Sequence, residues 1–167
     1  MQETEKAFRD LIVPHFDSGY NLAIWLTKNE TDAADVFQEA CMKAHRHLQT
    51  LRFDNPRGWF LQIIRNTAFS FLKKRGFVTE ELEDSQEDPG PSLEEALVQK
   101  QSAASLRAAL EELTPLYREI LVLREIEDES YENIALILQI PEGTVMSRLS
   151  RARQALREKL QSKGSVI

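Results

Sequence analysis

Residues 130–156 constrain this chain more than any other stretch, because they combine two short amphipathic patterns with an abrupt break. SYENIALIL, Ser130 to Leu138, opens on a hydroxyl that can cap a helix and carries Ile134, Ala135, Ile137 and Leu138. Gln139-Ile140-Pro141-Glu142 interrupts it, and GTVMSRLSRARQAL, Gly143 to Leu156, follows. In this second segment Val145, Leu149, Ala152 and Leu156 step by four, three and four, the spacing of one buried helix face. Arg148, Arg151 and Arg153 crowd the other faces, with Thr144 and Ser147 near the helix start. A basic face is often only solvated surface. Two short helices meeting at a tight turn form the helix-turn-helix layout, with Ala135 as the small residue at the crossing, and this favours a helix laid against DNA.

The formal net charge of -6 argues against a polyanion only until its distribution is read. Residues 1–76 hold 11 basic and 9 acidic side chains, residues 77–99 hold 8 acidic and none basic, and residues 100–167 hold 10 of each. The overall acidity is therefore set by one segment. Contacts with DNA respond to fields within a Debye length, roughly 8 to 10 Å at physiological salt.

Helical periodicity covers nearly everything else and predicts an all-α protein of two small domains joined by an acidic flexible linker. Residues 4–28 read as one helix, or two, with Pro14 and Gly19 as candidate interruptions. Thr31 or Asp32 can cap a second helix, from Ala33 to Leu48, whose buried face is Val36, Phe37, Ala40, Ala44 and Leu48. Its opposite face shows Asp32, Asp35, Gln38 and Glu39, a cluster that by itself reads as ordinary solvated charge near a helix N-terminus. Residues 49–57 form a loop in which Leu51 and Phe53 either tuck into a core or bind something. Gly58 to Arg75 is helical, with Trp59, Ile63, Thr67 or Ala68, and Phe71 on one flank and Phe60, Ile64 and Phe69 near it, aromatics that at this spacing are usually core; its cations Arg65, Lys73, Lys74 and Arg75, with Arg57 before it, add a mixture that suits unpaired bases. Residues 77–95 form the acidic linker, with Pro-Gly-Pro and little periodicity. Ser92 and Glu95 make a capping box for a helix to Leu113, and Thr114-Pro115 starts the next.

Two blocks carry a family resemblance. Leu113 to Leu156 resembles the C-terminal promoter-binding domain of bacterial RNA polymerase sigma factors, and DAADVFQEACMKAHRHL with NPRGWFLQIIRNTAFSFLKKR resembles their central domain. With two domains and a short linker, the chain resembles the extracytoplasmic-function (ECF) type. The resemblance implies domains at 1–76 (region 2-like) and 96–167 (region 4-like) around the linker at 77–95. It implies an alternative sigma factor that binds core RNA polymerase and promoter DNA, helps melt it, acts in stress responses and answers to an anti-sigma factor. By the same matching, Asp35, Gln38 and Glu39 dock on the polymerase clamp. Leu51, Phe53 and Asn55 line the loop that captures a flipped minus-10 base, and Arg65 and Asn66 contact the non-template strand. Thr144, Ser147, Arg148, Arg151 and Arg153 read the minus-35 element or its phosphates. Met146 stands where many relatives carry Lys or Arg, and Asn133 where an acid is common.

No nucleophile, paired-carboxylate or glycine-rich phosphate pattern appears, so an enzyme, a cofactor and a metal are not expected. Cys41, His45 and His47 are too few for a metal site by spacing alone. One cysteine and no long apolar run predict a cytoplasmic protein with no membrane insertion.

Overall fold

A computed structural model describes residues 2–51, 54–77 and 103–164, with side chains to 162. The described residues are helical almost throughout. The expected linker beyond Phe77, the Ser92–Glu95 capping box, Phe53 and Arg52 lie outside them.

Pro14 interrupts the first long pattern as its sequence implies. Helix α1 (Gln2–Leu11) gives way to a 3₁₀ turn (Val13–His15) and α2 (Phe16–Thr27) follows. Gly19, in contrast, is no break. It is buried inside α2, where a Cβ would stand 2.6 Å from Phe60 Cε2, so the missing side chain lets α2 approach that ring. Helix α3 (Glu30–Arg46) is capped by neither Thr31 nor Asp32. Asn29 takes that role, its side-chain oxygen accepting from the Asp32 amide at 2.9 Å. Helix α4 (Pro56–Lys74) begins with proline in its first turn and Asn55 as cap.

The buried face of α4 is rotated from the flank read off the sequence, sharing Thr67 and Ala68 with it and centring on Phe60 and Ile64. Phe60, Leu61, Ile64, Ala68 and Leu72 enter the core, whereas Trp59, Ile63 and Phe71 stay half-buried. An aromatic-rich helix offers two overlapping apolar stripes, and only the position of α2 and α3 selects between them. Phe16, Tyr20 and Phe37 join Phe60 in edge-to-face and tilted ring contacts with centroids 5.1 to 6.2 Å apart.

The C-terminal half comprises α5 (Ala103–Glu112), α6 (Pro115–Leu121), a wide turn at Val122–Ile126, α7 (Tyr131–Leu138) and α8 (Glu142–Gly164). Ser130 caps α7 as expected, accepting from the Asn133 amide at 3.0 Å. Gln139, at φ 58°, ends α7 in the left-handed conformation, and Ile140 N–H returns to Ala135 O at 3.1 Å to close the turn before α8. The stripe Val145, Leu149, Ala152 and Leu156 is wholly buried, and Leu160 extends it.

The two halves pack on each other, α2 against α6 and α4 against α7. Arg118 fastens them at a point sequence patterning does not mark. Although 2% exposed, its guanidinium donates to the carbonyls of Glu111 (3.2 Å) and Leu113 (2.7 Å) at the end of α5, and of Leu26 (3.3 Å) at the end of α2. The C-terminal carbonyls of two helices thus converge on one cation, which compensates part of its desolvation. Burial still pulls its pKa down to about 10.

Candidate nucleic-acid and partner surfaces

Helix α3 changes character along its length. Asp35, Gln38 and Glu39 are all exposed because Ala33, Val36, Ala40 and Ala44 occupy the core-facing positions three and four residues apart. Glu39 lies 3.6 Å from Lys43, an exposed pair of little energetic weight. Past that point, exposed Met42 apart, the surface side chains are basic residues. Lys43, Arg46 and His47 border an open cleft of about 350 Å³ whose other wall is Thr50, Trp59, Ile63, Asn66 and Thr67. Cations beside a half-buried indole and an exposed amide suit the backbone and stacked bases of an unpaired strand. Asn66 was expected here; Lys43, Arg46 and His47 were not. Their signal was an i, i+3, i+4 set of polar residues at the end of α3, easily read as ordinary helix C-terminal cations.

The other residues expected at the minus-10 loop are placed less uniformly. Leu51 is 5% exposed and belongs to the core, which resolves its reading in favour of packing. Asn55 caps α4 with its oxygen, accepting from the Gly58 amide at 2.9 Å, while its Nδ2 donates to Asn133 Oδ1 across the two halves at 3.1 Å. Together with Thr50, Asp54, Trp59 and Gln62 it walls a second cleft, of about 600 Å³, closed from the far side by Ala135, Leu136 and the Gln139–Pro141 turn. Ala135 therefore faces the N-terminal half rather than being wholly enclosed by α8.

Arg65 and Arg57 face the C-terminal half. Arg65 stacks on Phe69, 3.9 Å from the ring centroid, and donates through Nε (2.8 Å) and Nη2 (3.1 Å) to the two oxygens of Glu119. Glu119 is fully buried; desolvation raises its pKa, while Arg65 and, more weakly, Arg148 and Arg118 oppose the rise. Arg57 Nε donates to Glu129, and its Nη2 to Glu127 Oε2 at 3.0 Å. Asn21 Nδ2 donates to the other oxygen of Glu127 at 2.9 Å, and Asn133 Nδ2 to Glu129 at 3.1 Å. Between the two glutamates Asp128 sits at φ 55°, a left-handed conformation that Asp tolerates, and this turn presents both carboxylates to α4. Glu119 had one sequence signal, an acid immediately before the apolar run Ile120 to Leu123 and directly after Arg118.

In α8 the polar residues divide. Met146 is 59% exposed, and Thr144 and Ser147 are half-buried, with the Ser147 hydroxyl donating to Thr144 O at 3.2 Å. Arg153 pairs with Glu125 at 3.1 Å and Arg151 is half-buried. Arg148, expected on the open face, is 8% exposed and lies near enough to Glu119 to favour its ionised form. The sequence assigned it outward because a periodic stripe marks only the centre of a buried face, and the flanks are decided by what packs beside it.

Among the described residues no group of three or more His, Cys, Asp or Glu is placed to hold a metal. Burial pushes the Cys41 thiol up to about 11, which leaves it a poor nucleophile, and the His45 ring packs edge-on against Phe8 at 5.5 Å. No helix among the described residues is long and apolar enough to cross a membrane.

Comparison with known proteins matches residues 11–78 to the family model of sigma-70 region 2 and residues 103–156 to that of sigma-70 region 4. The ECF RNA polymerase sigma factor SigE of Mycolicibacterium smegmatis is 35% identical over 95% of this chain, which spans 63% of that relative. The RNA polymerase sigma-H factor of Pseudomonas aeruginosa is 32% identical, covering 94% of this chain and 88% of its own length. The sigma factor SigV of Bacillus subtilis is also 32% identical, over 95% of this chain and 94% of its own length. Among solved structures, the sigma factor RpoE of Bartonella quintana, crystallised with the anti-sigma factor NepR, is similar with a TM-score of 0.71 and 28% identity, over 93% of this chain and 98% of that one.

Proposed function

Since the chain belongs to the extracytoplasmic-function family of RNA polymerase sigma factors, we propose that it binds core RNA polymerase, selects promoters by their minus-35 and minus-10 elements and promotes melting between them. Residues 1–76 act as the core- and minus-10-binding domain, 77–95 as the linker and 96–167 as the minus-35-binding domain. The chain is an initiation factor rather than an enzyme, and the chemistry belongs to the polymerase. It works in the cytoplasm, and an anti-sigma factor controls it, as the Bartonella quintana relative's complex with NepR suggests.

The observation that carries this reading is the bipolarity of α3. An exposed acidic stretch, Asp35 to Glu39, can meet a cationic partner, while the same helix ends in the Lys43, Arg46 and His47 cleft beside Trp59 and Asn66. One element thus offers a protein-docking face and, a few residues on, an unpaired-strand face, which is what a subunit bridging polymerase to melted DNA requires. Asn66 contacts the strand in that cleft, and Phe53 caps the flipped base. In the minus-35 helix Thr144, Ser147 and Arg151 contact the duplex from the start of α8, with exposed Met146 touching base edges apolarly where many relatives place a cation. Arg148 and Arg153 reach DNA after their present carboxylate neighbours release them.

Initiation assays with core polymerase over a panel of promoter fragments test the proposal. Promoter-dependent transcripts that require this chain are expected, together with a loss of open complexes for Asn66→Ala. Absence of any promoter-dependent initiation refutes it.

A further inference from the structure

The cleft of about 600 Å³ between the two halves shares Thr50 and Trp59 with the Lys43 cleft, and the two differ in charge. Lys43, Arg46 and His47 line the smaller one, whereas among the described residues the only charged side chain lining the larger one is Asp54. Asp54 is exposed, and none of the ion pairs among the described residues includes it. Two further exposed carboxylates adjoin lining residues: Glu132 stands one turn before Leu136 on the same face of α7, and Glu142 directly follows Pro141. A recess carrying one sign of charge focuses its field on whatever enters.

The rest of the lining is that of a small-molecule site. Trp59 is half-buried and contributes an indole, the aromatic ring that attracts cations best. Leu136, Ile140 and Pro141 supply an apolar wall from the helix-turn-helix, and Gln62 and Gln139 bring one amide from each half. Asn55 also lines the cleft and ties its two sides together through Asn133 at 3.1 Å. The volume falls within the roughly 300 to 1,000 Å³ in which proteins hold small ligands, and such sites favour junctions between packed units. An anionic ligand meets no cation among the described lining residues, which separates this cleft from the one suited to a strand.

We propose that this larger cleft binds a small hydrophobic organic cation, a compound carrying a quaternary or aromatic-amine charge on an apolar frame. The charge lies between the Trp59 indole and the Asp54 carboxylate, and the frame lies against Leu136, Ile140 and Pro141. An aromatic ring and a carboxylate beside an apolar wall compensate such a cation without a strong hydrogen-bond donor on the ligand. Binding to the folded chain alone raises its stability once the ligand exceeds its dissociation constant. The site stands apart from the sigma-factor reading, since it concerns the free chain and needs neither polymerase nor DNA.

Tetraphenylphosphonium and tetraphenylborate, ions of one shape and opposite charge, test the ligand class on the full chain. A Trp25→Phe background leaves Trp59 as the only tryptophan, and its fluorescence reports occupancy. Saturable quenching by tetraphenylphosphonium is expected, with roughly tenfold weaker binding of tetraphenylborate and a rise in the thermal unfolding midpoint with the cation. Asp54→Asn should weaken the cation about fivefold and narrow the preference between the two ions. Leu136→Ala, at a side chain already 40% exposed, should weaken the cation about threefold through the lost apolar wall. Isothermal titration of the chain with both tryptophans repeats the comparison of the two ions, so the result does not hang on the Trp25 substitution. Absence of saturable binding overturns the proposal. So does equal or tighter binding of the anion, which would place the ligand in the Lys43 cleft. Unchanged cation affinity in Asp54→Asn overturns the choice of a cation, and unchanged affinity in Leu136→Ala overturns a site built from both halves.

Discussion

Two acidic clusters among the described residues look alike in sequence and differ in burial and in partners. Asp35 and Glu39 project from α3 into solvent, and among the described residues the ion pair drawn from them, Glu39 with Lys43, lies within the same helix. Glu119, Glu127 and Glu129 are almost wholly enclosed, and each meets an arginine of α4. The first cluster keeps its hydration and is available to another molecule. The second has already exchanged water for partners inside the chain. Position relative to the core, rather than charge density, separates a docking surface from an internal counter-ion.

Substitution of Glu119 should break the comparison most strongly. Glu119→Ala removes the carboxylate that faces Arg65 and neighbours Arg118 and Arg148, leaving buried cations uncompensated. Loss of about 3 to 5 kcal/mol is expected in urea unfolding. Asp35→Ala with Glu39→Ala should leave that unfolding within about 0.5 kcal/mol of wild type yet weaken core polymerase binding roughly tenfold, or about 1.4 kcal/mol. Unchanged core affinity would remove α3 from the docking reading.

Asn55 sharpens the boundary between the two behaviours, because it is both a helix cap and a link to the second cluster through Asn133. Asn55→Ala should cost about 1 kcal/mol of stability, the usual value of a lost cap. Asn55→Asp keeps the capping oxygen and should retain most of that stability while losing the amide that donates to Asn133. Equal losses in both variants would place its weight in the contact across the halves.

The smallest effect concerns His15, which lies near Arg57 and Glu129. Burial and then the Arg57 charge hold its pKa below 6.5, with Glu129 opposing. As pH falls below 6.5 the unfolded chain takes up this proton first, so stability declines until the folded imidazole also titrates and is flat beyond that. Glu119 has the opposite sense: its raised pKa makes its own contribution improve as pH falls from that raised value towards 4.5. The difference between wild type and His15→Gln isolates the histidine, and the variant should lose the decline just below 6.5. Parallel pH profiles of thermal unfolding for the two proteins would contradict it.

Much of the fold can be read from local residues. Pro14 ends one helix, Ser130 starts another, Gln139-Ile140-Pro141 forces a turn, and the Val145 to Leu156 stripe is buried throughout. Each is a matter of backbone chemistry or of period, and both are written within a few residues. The site was legible where exposure follows directly from that period, as for Asp35, Gln38 and Glu39. It was not legible where a residue has two compatible fates: Leu51 goes to the core, Asn55 serves as a cap, and Arg148 turns towards Glu119.

By itself, then, the sequence determined the helices, the helix-turn-helix and the separation of acidic from basic stretches, because propensity, capping and periodicity act at short range. Only the tertiary structure decided which charges face water. Arg57 and Glu127 are 70 residues apart and Arg65 and Glu119 are 54 apart, and nothing local distinguishes them from ordinary solvated side chains. Their pairing exists because α4 packs on α7, and the low dielectric of that contact makes the same charges consequential.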